Sequence, residues 1–306
     1  RFESRGLGDV YKRQIVIERK HEHFVGEVSG IDCRQAVTKE DGQLLNEALD
    51  QFGVLIFRKQ AFTDLEQITF SKIFGEIELA KGGNVTKDKD RRLDVQMADV
   101  SNLDKDGNLL GRSDRRRMFN LGNRLWHSDS SYRVIPAKCS LLSCRSVASS
   151  GGDTEFAFMP AAYDALDQDT KMEIEELVTE HSLLYSRGQL GFTEFEDEER
   201  KAFAPVRQRL IRTNEFTGRK SIFLSSHIGS IIGWEIPEAR DLIRELMEHA
   251  TSQPFVYRHS WSVGDLVVWD NRQCMHRVRR FDDASEPRDM RRTTIAGTAK
   301  TAPQSN

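Results

Sequence analysis

The sequence predicts a mainly β domain, two packed sheets flanked by α-helices, and three observations carry that expectation. Short strand-like runs bounded by polar or turn residues (GVLIF, CSLLSCRSV, DTEFAF, DLVVWD, RTTIAG) recur along the chain. Helical periodicity is confined to a few segments that carry their own start signals. No internal repeat or Pro/Ser-rich linker separates halves of the 306 residues, so residues 15–300 read as a single domain followed by a 301–306 tail. The first fourteen residues, RFESRGLGDVYKRQ, fit no periodic pattern and look like translated junction sequence. They are expected to be a non-native leader outside the fold.

Taken in order, TKEDGQLLNEALDQFG (38–53) opens on Thr38 as N-cap with Asp41 three residues on, and Leu44, Leu45, Ala48, Leu49 and Phe52 recur at helical spacing. GVLIF follows as a buried strand. TDLEQITFSKIFG (63–75) repeats the pattern, with Thr63 and Glu66 as a capping box and Gly75 as the stop. From 82 to 124 the chain is polar and charged without a sustained period, which suits a surface excursion or an active-site lid. CSLLSCRSV and DTEFAF read as strands and MPAAYDAL as a short helix. IPEARDLIRELMEHA places Ala239, Leu242, Ile243, Leu246, Met247 and Ala250 on one helix face. The last third returns to strands with PFVYRHSW, DLVVWD and RTTIAG.

Composition narrows the function. With 38% hydrophobic and 30% charged residues and a net charge of −3, nothing global points to nucleic acid or to a membrane surface. No apolar run reaches the length of a membrane span, and no signal-peptide pattern opens the chain. The four cysteines lack a CxxC pair or a disulfide-framework spacing, so reduced thiols and a cytoplasmic location are expected.

LWHSDSSYR (125–133) sets His127 and Asp129 two apart, the spacing that in a strand puts both side chains on one face as two ligands of one metal. Of the eight histidines, His276 is the best third ligand, because it follows GDLVVWDN and precedes RDMRRTTIAG. His181 and His259 occupy strand positions with no carboxylate neighbour, and His227, in FLSSHIGS, is ambiguous. Arg288, Met290 and Arg292 share one strand face, and two inward arginines need anions, because a buried unpaired guanidinium is costly. A metal beside them suggests a small carboxylate that chelates the metal and pairs with arginine. Two histidines and one carboxylate form the facial triad of non-haem Fe(II) oxygenases, although zinc hydrolysis can use the same donors.

With these residues in view, the sequence resembles the Fe(II)/2-oxoglutarate-dependent taurine dioxygenase superfamily, and within it the 2,4-dichlorophenoxyacetate dioxygenases. LWHSDSSYR, SGGDTEFAFMPAAYDAL, the helix ending in LMEHAT, FVYRHSWSVGDLVVWDNRQCMHR and RDMRRTT carry the likeness, spread from about residue 25 to 297. The resemblance implies a double-stranded β-helix (jelly-roll) core that uses Fe(II), with 2-oxoglutarate and O2 as cosubstrates. It makes His127, Asp129 and His276 the metal ligands, and Thr154 and Arg288 the partners of the distal carboxylate of 2-oxoglutarate. It gives Arg292 the anionic group of a small organic substrate, with Lys81, His227 and Asn214 on the substrate side. Succinate and CO2 would be released, with phenol and glyoxylate from an aryloxyacetate. Alkylsulfonates or alkyl sulfates are the alternative substrates. A jelly-roll binding module without turnover is a further alternative, which the intact triad argues against. A homo-oligomer is left open.

There are departures from that pattern. Arg288 follows His276 by twelve residues, one more than the family spacing, so a bulge or a longer turn is required. Arg279 and Arg280 are closer but fall in a presumed turn. Asn214 stands where the herbicide-cleaving relatives carry histidine, and Asn108 where they carry lysine, which weakens the aryloxyacetate assignment relative to the reaction class.

Overall fold

The computed structural model describes residues 14–304, so residues 1–13 of the expected leader and residues 305–306 lie outside the described residues. The chain opens with antiparallel strands β1 (Val16–Arg19) and β2 (Gly26–Ser29), then helix α1 (Lys39–Phe52), β3 (Val54–Phe57) and α2 (Asp64–Ser71). Both expected caps are present. The Thr38 hydroxyl accepts from the Asp41 N–H, and Thr63 and Glu66 form a reciprocal capping box. The second helix stops at Ser71, earlier than Gly75, and a further turn carries the chain to that glycine.

The polar stretch 82–124 is more structured than its lack of periodicity suggests. It contains edge strand β4 (Ala98–Ser101) and the short helix α3 (Arg115–Asn120), and it packs beside the site described below. Strands β5 (Cys139–Ser146) and β6 (Thr154–Phe158) follow, then α4 (Met159–Asp164) and α5 (Gln168–Ile174). The middle of the chain holds β7 (Val178–His181), α6 (Leu183–Gly188), α7 (Asp197–Ala202), β8 (Val206–Arg209), β9 (Ile211–Thr213), β10 (Lys220–Ile222) and β11 (Ile228–Ile231). Helix α8 (Ile236–Ala250) and strands β12 (Val256–His259), β13 (Leu266–Asp270), β14 (Cys274–Val278) and β15 (Asp289–Ile295) complete the domain.

A seven-stranded sheet in the order β1-β2-β3-β13-β5-β15-β4 faces a three-stranded sheet in the order β12-β6-β14. The large sheet is covered on both sides, which is why VLIF and LVVWD are continuously apolar rather than alternating. Val54, Ile56, Leu142, Val267, Trp269 and Met290 point between the sheets and meet Phe156, Phe158 and Met275. The intervening Leu55, Phe57, Leu141, Leu266 and Val268 point outward and are capped by Leu45, Leu49 and Phe52 of α1 and Phe70 of α2. This is the jelly-roll core flanked by helices that the sequence predicts.

In α8, Ala239, Ile243, Leu246 and Ala250 are buried and Leu242 and Met247 partly so, as the periodicity requires. The extra residue before Arg288 is absorbed in the connection between β14 and β15, so Arg288, Met290 and Arg292 keep a common face while Arg291 reaches Asp64 on the other. A register shift does occur there, but on β5: Asp289 pairs with Ser146 and Met290 with Cys144, leaving Arg145 as the additional residue. The expected tail is part of the domain surface, with the Gln304 side chain bonded to the Arg207 backbone of β8. No helix among the described residues is long and apolar enough to cross a membrane.

Candidate active site

The two-residue spacing of His127 and Asp129 is realised differently from the expected strand. His127 forms a single antiparallel bridge with His276 of β14, exchanging backbone hydrogen bonds of 3.0 and 2.9 Å, and the chain then turns at once. Ser130 adopts a left-handed conformation (φ 55°), which swings Asp129 back beside the two imidazoles. The ligand atoms of His127, Asp129 and His276 lie within 4.8 Å of one another. The two Nε2 atoms stand 3.9 and 3.8 Å from the Asp129 oxygens, beyond hydrogen-bond length and suited to groups arranged about one ion. His127 Nδ1–H donates to the Leu125 carbonyl at 2.8 Å, which leaves its Nε2 lone pair free for a metal.

Electrostatics favours the same use. Burial holds both imidazoles below their ordinary pKa, so they are neutral and able to ligate. Burial also opposes ionisation of Asp129, but the Arg292 guanidinium, both imidazoles and the Ser140 hydroxyl outweigh it and hold the carboxyl at about 2. The carboxylate is fixed by Ser140 Oγ at 2.7 Å on one oxygen and Arg292 Nη1 at 2.5 Å on the other. Asn271 accepts from the Asp129 backbone N–H and from the Trp269 indole, and donates to Ser140. Sequence reasoning used WDN as a motif but gave these residues no task. The signal was there: a Trp-Asp-Asn at a strand end, with Ser140 opposite Trp269 in register.

Arg288 and Thr154 lie on one side of the triad and line a cavity with His127, His276, Trp269 and Arg292. Arg288 is 4% exposed, and burial pushes its pKa down to about 10. Its Nη2 donates to the Gly152 carbonyl at 3.0 Å while its Nε has no partner among the described residues. Gly152 sits at φ +74°, and a Cβ there would lie 3.2 Å from that Nε. A buried guanidinium with donors to spare is chemically suited to bind an anion. Thr154 Oγ1, held by the Trp261 indole at 2.9 Å, is the neighbouring hydroxyl. Arg279 is half-exposed and lies 3.6 Å from Glu155, and Arg280 is exposed, so neither competes for this role. The segment 82–124 walls this side: Asn102 accepts from the Arg288 backbone N–H and donates to the Asp283 and Glu286 carbonyls.

The expected substrate-side residues are only partly gathered. His227 is buried, 6.0 Å from the His127 ring and 5.1 Å from Tyr132, with Nδ1 on Ser186 Oγ at 2.8 Å. Lys81 has its side chain 56% exposed and paired with Asp88. Arg292 faces the site, but its anion is Asp129, which corrects the expectation that both inward arginines of β15 are free for exogenous anions. Asn214 is not at the site. Its side chain accepts from the Phe216 and Thr217 N–H groups and donates to Asp50, making it a buried turn residue between β9 and β10. Asn108 likewise sits in an exposed turn. His259 does have a carboxylate neighbour, Asp265 at 3.2 Å, six residues on and invisible to a two-residue search.

A jelly-roll holding a buried His/Asp/His set beside an unpaired arginine defines a mononuclear non-haem iron oxygenase that uses a 2-oxo acid. Residues 18–294 match the family described as taurine catabolism dioxygenase TauD, TfdA family, and the chain belongs to it as an Fe(II)/2-oxoglutarate-dependent dioxygenase. It is 42% identical over 282 residues to the alpha-ketoglutarate-dependent 2,4-dichlorophenoxyacetate dioxygenase of Cupriavidus pinatubonensis, covering 92% of this chain and 97% of the relative. It is 37% identical to the (S)-phenoxypropionate/alpha-ketoglutarate-dioxygenase of Sphingobium herbicidovorans, over 83% of this chain and 85% of that one. Among solved structures, AAD-2 in complex with Mn(II) and N-oxalylglycine superposes with a TM-score of 0.92 at 56% identity, covering 94% of this chain and 99% of that one.

Proposed function

We propose that this protein hydroxylates an aryloxyacetate-like carboxylate at the carbon beside the ether oxygen, so that the product collapses to a phenol and glyoxylate while 2-oxoglutarate becomes succinate and CO2. The observation that carries the reading is the pairing of a compact His127/Asp129/His276 set with a buried Arg288 that forms no ion pair within 4 Å and whose Nε has no hydrogen-bond partner among the described residues. The relatives named for 2,4-dichlorophenoxyacetate and phenoxypropionate supply the substrate class.

His127, Asp129 and His276 would hold Fe(II), which, with 2-oxoglutarate and O2, supplies the oxidising power for C–H hydroxylation. Arg288 and Thr154 orient the far carboxylate of 2-oxoglutarate, where a planar guanidinium donates to both oxygens at once, as lysine could not. Arg292 and Ser140 keep Asp129 ionised and fixed, so one ligand set serves through the cycle. Phe156, stacked on His276, and Trp269, tilted against it, exclude water from that side. The substrate is a small organic anion, and buried free cysteines agree with a reducing, cytoplasmic setting.

The deciding experiment mixes anaerobic protein, Fe(II) and 2-oxoglutarate with air and a panel of phenoxyacetates, phenoxypropionates, alkylsulfonates and neutral phenyl ethers. Phenol release stoichiometric with succinate is expected from the carboxylates. Sulfite release in its place would move the assignment to alkylsulfonates, and efficient turnover of a neutral ether would overturn the anionic class.

A further inference from the structure

Within the stretch FVYRHSWSVGDLVVWDNRQCMHR, the segment HSWSVGD has so far no task in the reaction. It connects β12 to β13 and is tied down on both sides of Trp261. On one side, Ser260 Oγ donates to the Asp153 carboxylate at 3.2 Å, where Arg258 also donates at 2.6 Å, and Asp153 immediately precedes Thr154. On the other, the Ser262 backbone N–H donates to Asp265 at 3.0 Å, and the same carboxylate oxygen meets Arg58 and the buried His259 ring. That ring stands nearly perpendicular to the Trp261 indole with centres 4.6 Å apart, and His259 itself pairs with Thr154 across the β12–β6 ladder. The partly buried indole is thereby held against Thr154, its Nε1–H ending 2.9 Å from the hydroxyl oxygen.

The direction of that bond decides what the hydroxyl can do next. An indole nitrogen only donates, so Thr154 Oγ1 is the acceptor and its own hydrogen is left unspent. Among the described residues the Thr154 side chain has no other hydrogen bond, and it lines the same cavity as Arg288, whose Nε is also without a partner there. A carboxylate is acceptor-only and can take both donors, whereas a carboxamide offers one acceptor oxygen and sets its NH2 against a donor. A hydroxyl without a fixed partner could turn to accept from that NH2; one already accepting from an indole has less reason to. We infer that Trp261 is a positioning residue for the cosubstrate: by donating to Thr154 it commits that hydroxyl to donate in turn, so that Thr154 and Arg288 together select a carboxylate at the far end of the 2-oxo acid. This rests on Arg288 and Thr154 holding 2-oxoglutarate as proposed above.

The test is calorimetric titration of Mn(II)-loaded protein with N-oxalylglycine, beside steady-state kinetics for 2-oxoglutarate with Fe(II). Trp261→Phe keeps a ring and drops the N–H; it is expected to weaken N-oxalylglycine binding about threefold to tenfold, as for loss of one neutral hydrogen bond. KM for 2-oxoglutarate should rise by the same factor while kcat stays within about twofold, a split that general loosening of the site would not give. Thr154→Val should also weaken N-oxalylglycine, and adding Trp261→Phe to it should change nothing further, because the indole then has no hydroxyl to set. Trp261→Leu gives the same cycle should the phenylalanine variant not fold. Native N-oxalylglycine affinity in the Trp261 variants overturns the inference, as does an equal loss in the native and Thr154→Val backgrounds, the result of a merely structural role. If Thr154→Val alone binds N-oxalylglycine as tightly as native protein, the placement of Thr154 on the cosubstrate fails, and the inference with it.

Discussion

The two sides of the metal set are built from different material. The proposed 2-oxoglutarate side is sheet: Thr154 opens β6 and His276 sits within β14, both in one ladder of backbone hydrogen bonds, and Arg288 immediately precedes β15, its N–H held by Asn102. The substrate side is assembled from turns and short helices: the Ser130 corner, the loop bearing His227, and α6. A ladder transmits a sequence interval directly into a spatial one, because side chains alternate with a period of two. A loop does not. The reaction class therefore sits on the rigid half and substrate choice on the half whose geometry depends on long-range packing.

The largest effect that could break this contrast is at the metal set itself. His127→Ala, Asp129→Ala and His276→Ala should each abolish succinate production and metal retention measured by equilibrium dialysis. Retention of more than about a tenth of native turnover, a loss below roughly 1.4 kcal/mol, would remove that residue from the ligand set. Next is the sheet-side anion site. Arg288→Gln should raise the 2-oxoglutarate requirement on the order of tenfold to a thousandfold, whereas Arg279→Gln and Arg280→Gln should leave it nearly unchanged. A large effect at either of the latter would show that the extra residue between β14 and β15 shifts the register after all.

Acid should sharpen the contrast from the other side. His181, at the end of β7, is wholly buried, hydrogen-bonded to Ser131 and Thr179, and held by burial at about 3. In the unfolded chain it titrates near 6.5. The unfolded state thus binds the proton first, and this histidine's contribution is intact above pH 6.5 and declines as pH falls toward 3. Urea denaturation across that window should show stability falling with a slope of up to about 1.4 kcal/mol per pH unit from this group. His181→Gln should flatten that limb; an unchanged slope would place the acid sensitivity elsewhere.

The smallest effect separates position in the sequence from position in the site. Asn214→Ala should lower the melting temperature, costing about 1 kcal/mol for a lost turn bond, and leave kcat/KM for the carboxylate substrate within about twofold, since a residue outside the site forfeits no transition-state contact. A selective KM change would bring Asn214 back to the substrate.

These contrasts also explain what the sequence could convey. β3, β5, β6, β13 and β15 and their face assignment follow from apolar runs and two-residue alternation, whereas the His127/Asp129 spacing points to a metal set that a turn at Ser130, not a strand, brings together. Arg288 follows from the same parity, since the added residue falls in a turn and leaves the strand face intact. Arg292 is legible as inward-facing but not as Asp129's partner, because that pairing spans 163 positions. Asn214 was misplaced because alignment to a motif says nothing about whether a turn folds toward the site or toward α1.

The Trp269 ring lies 4.5 Å from that of His276, with its N–H tied to Asn271 and its surface shut off from solvent. A paramagnetic ion seated on His276 would stand close to a rigid, water-shielded indole and quench its emission. The site thus carries its own optical gauge. Loading can be followed by intrinsic fluorescence without a dye or a turnover assay, and Trp269→Phe would leave emission from Trp126, Trp234 and Trp261 while removing the indole packed against His276.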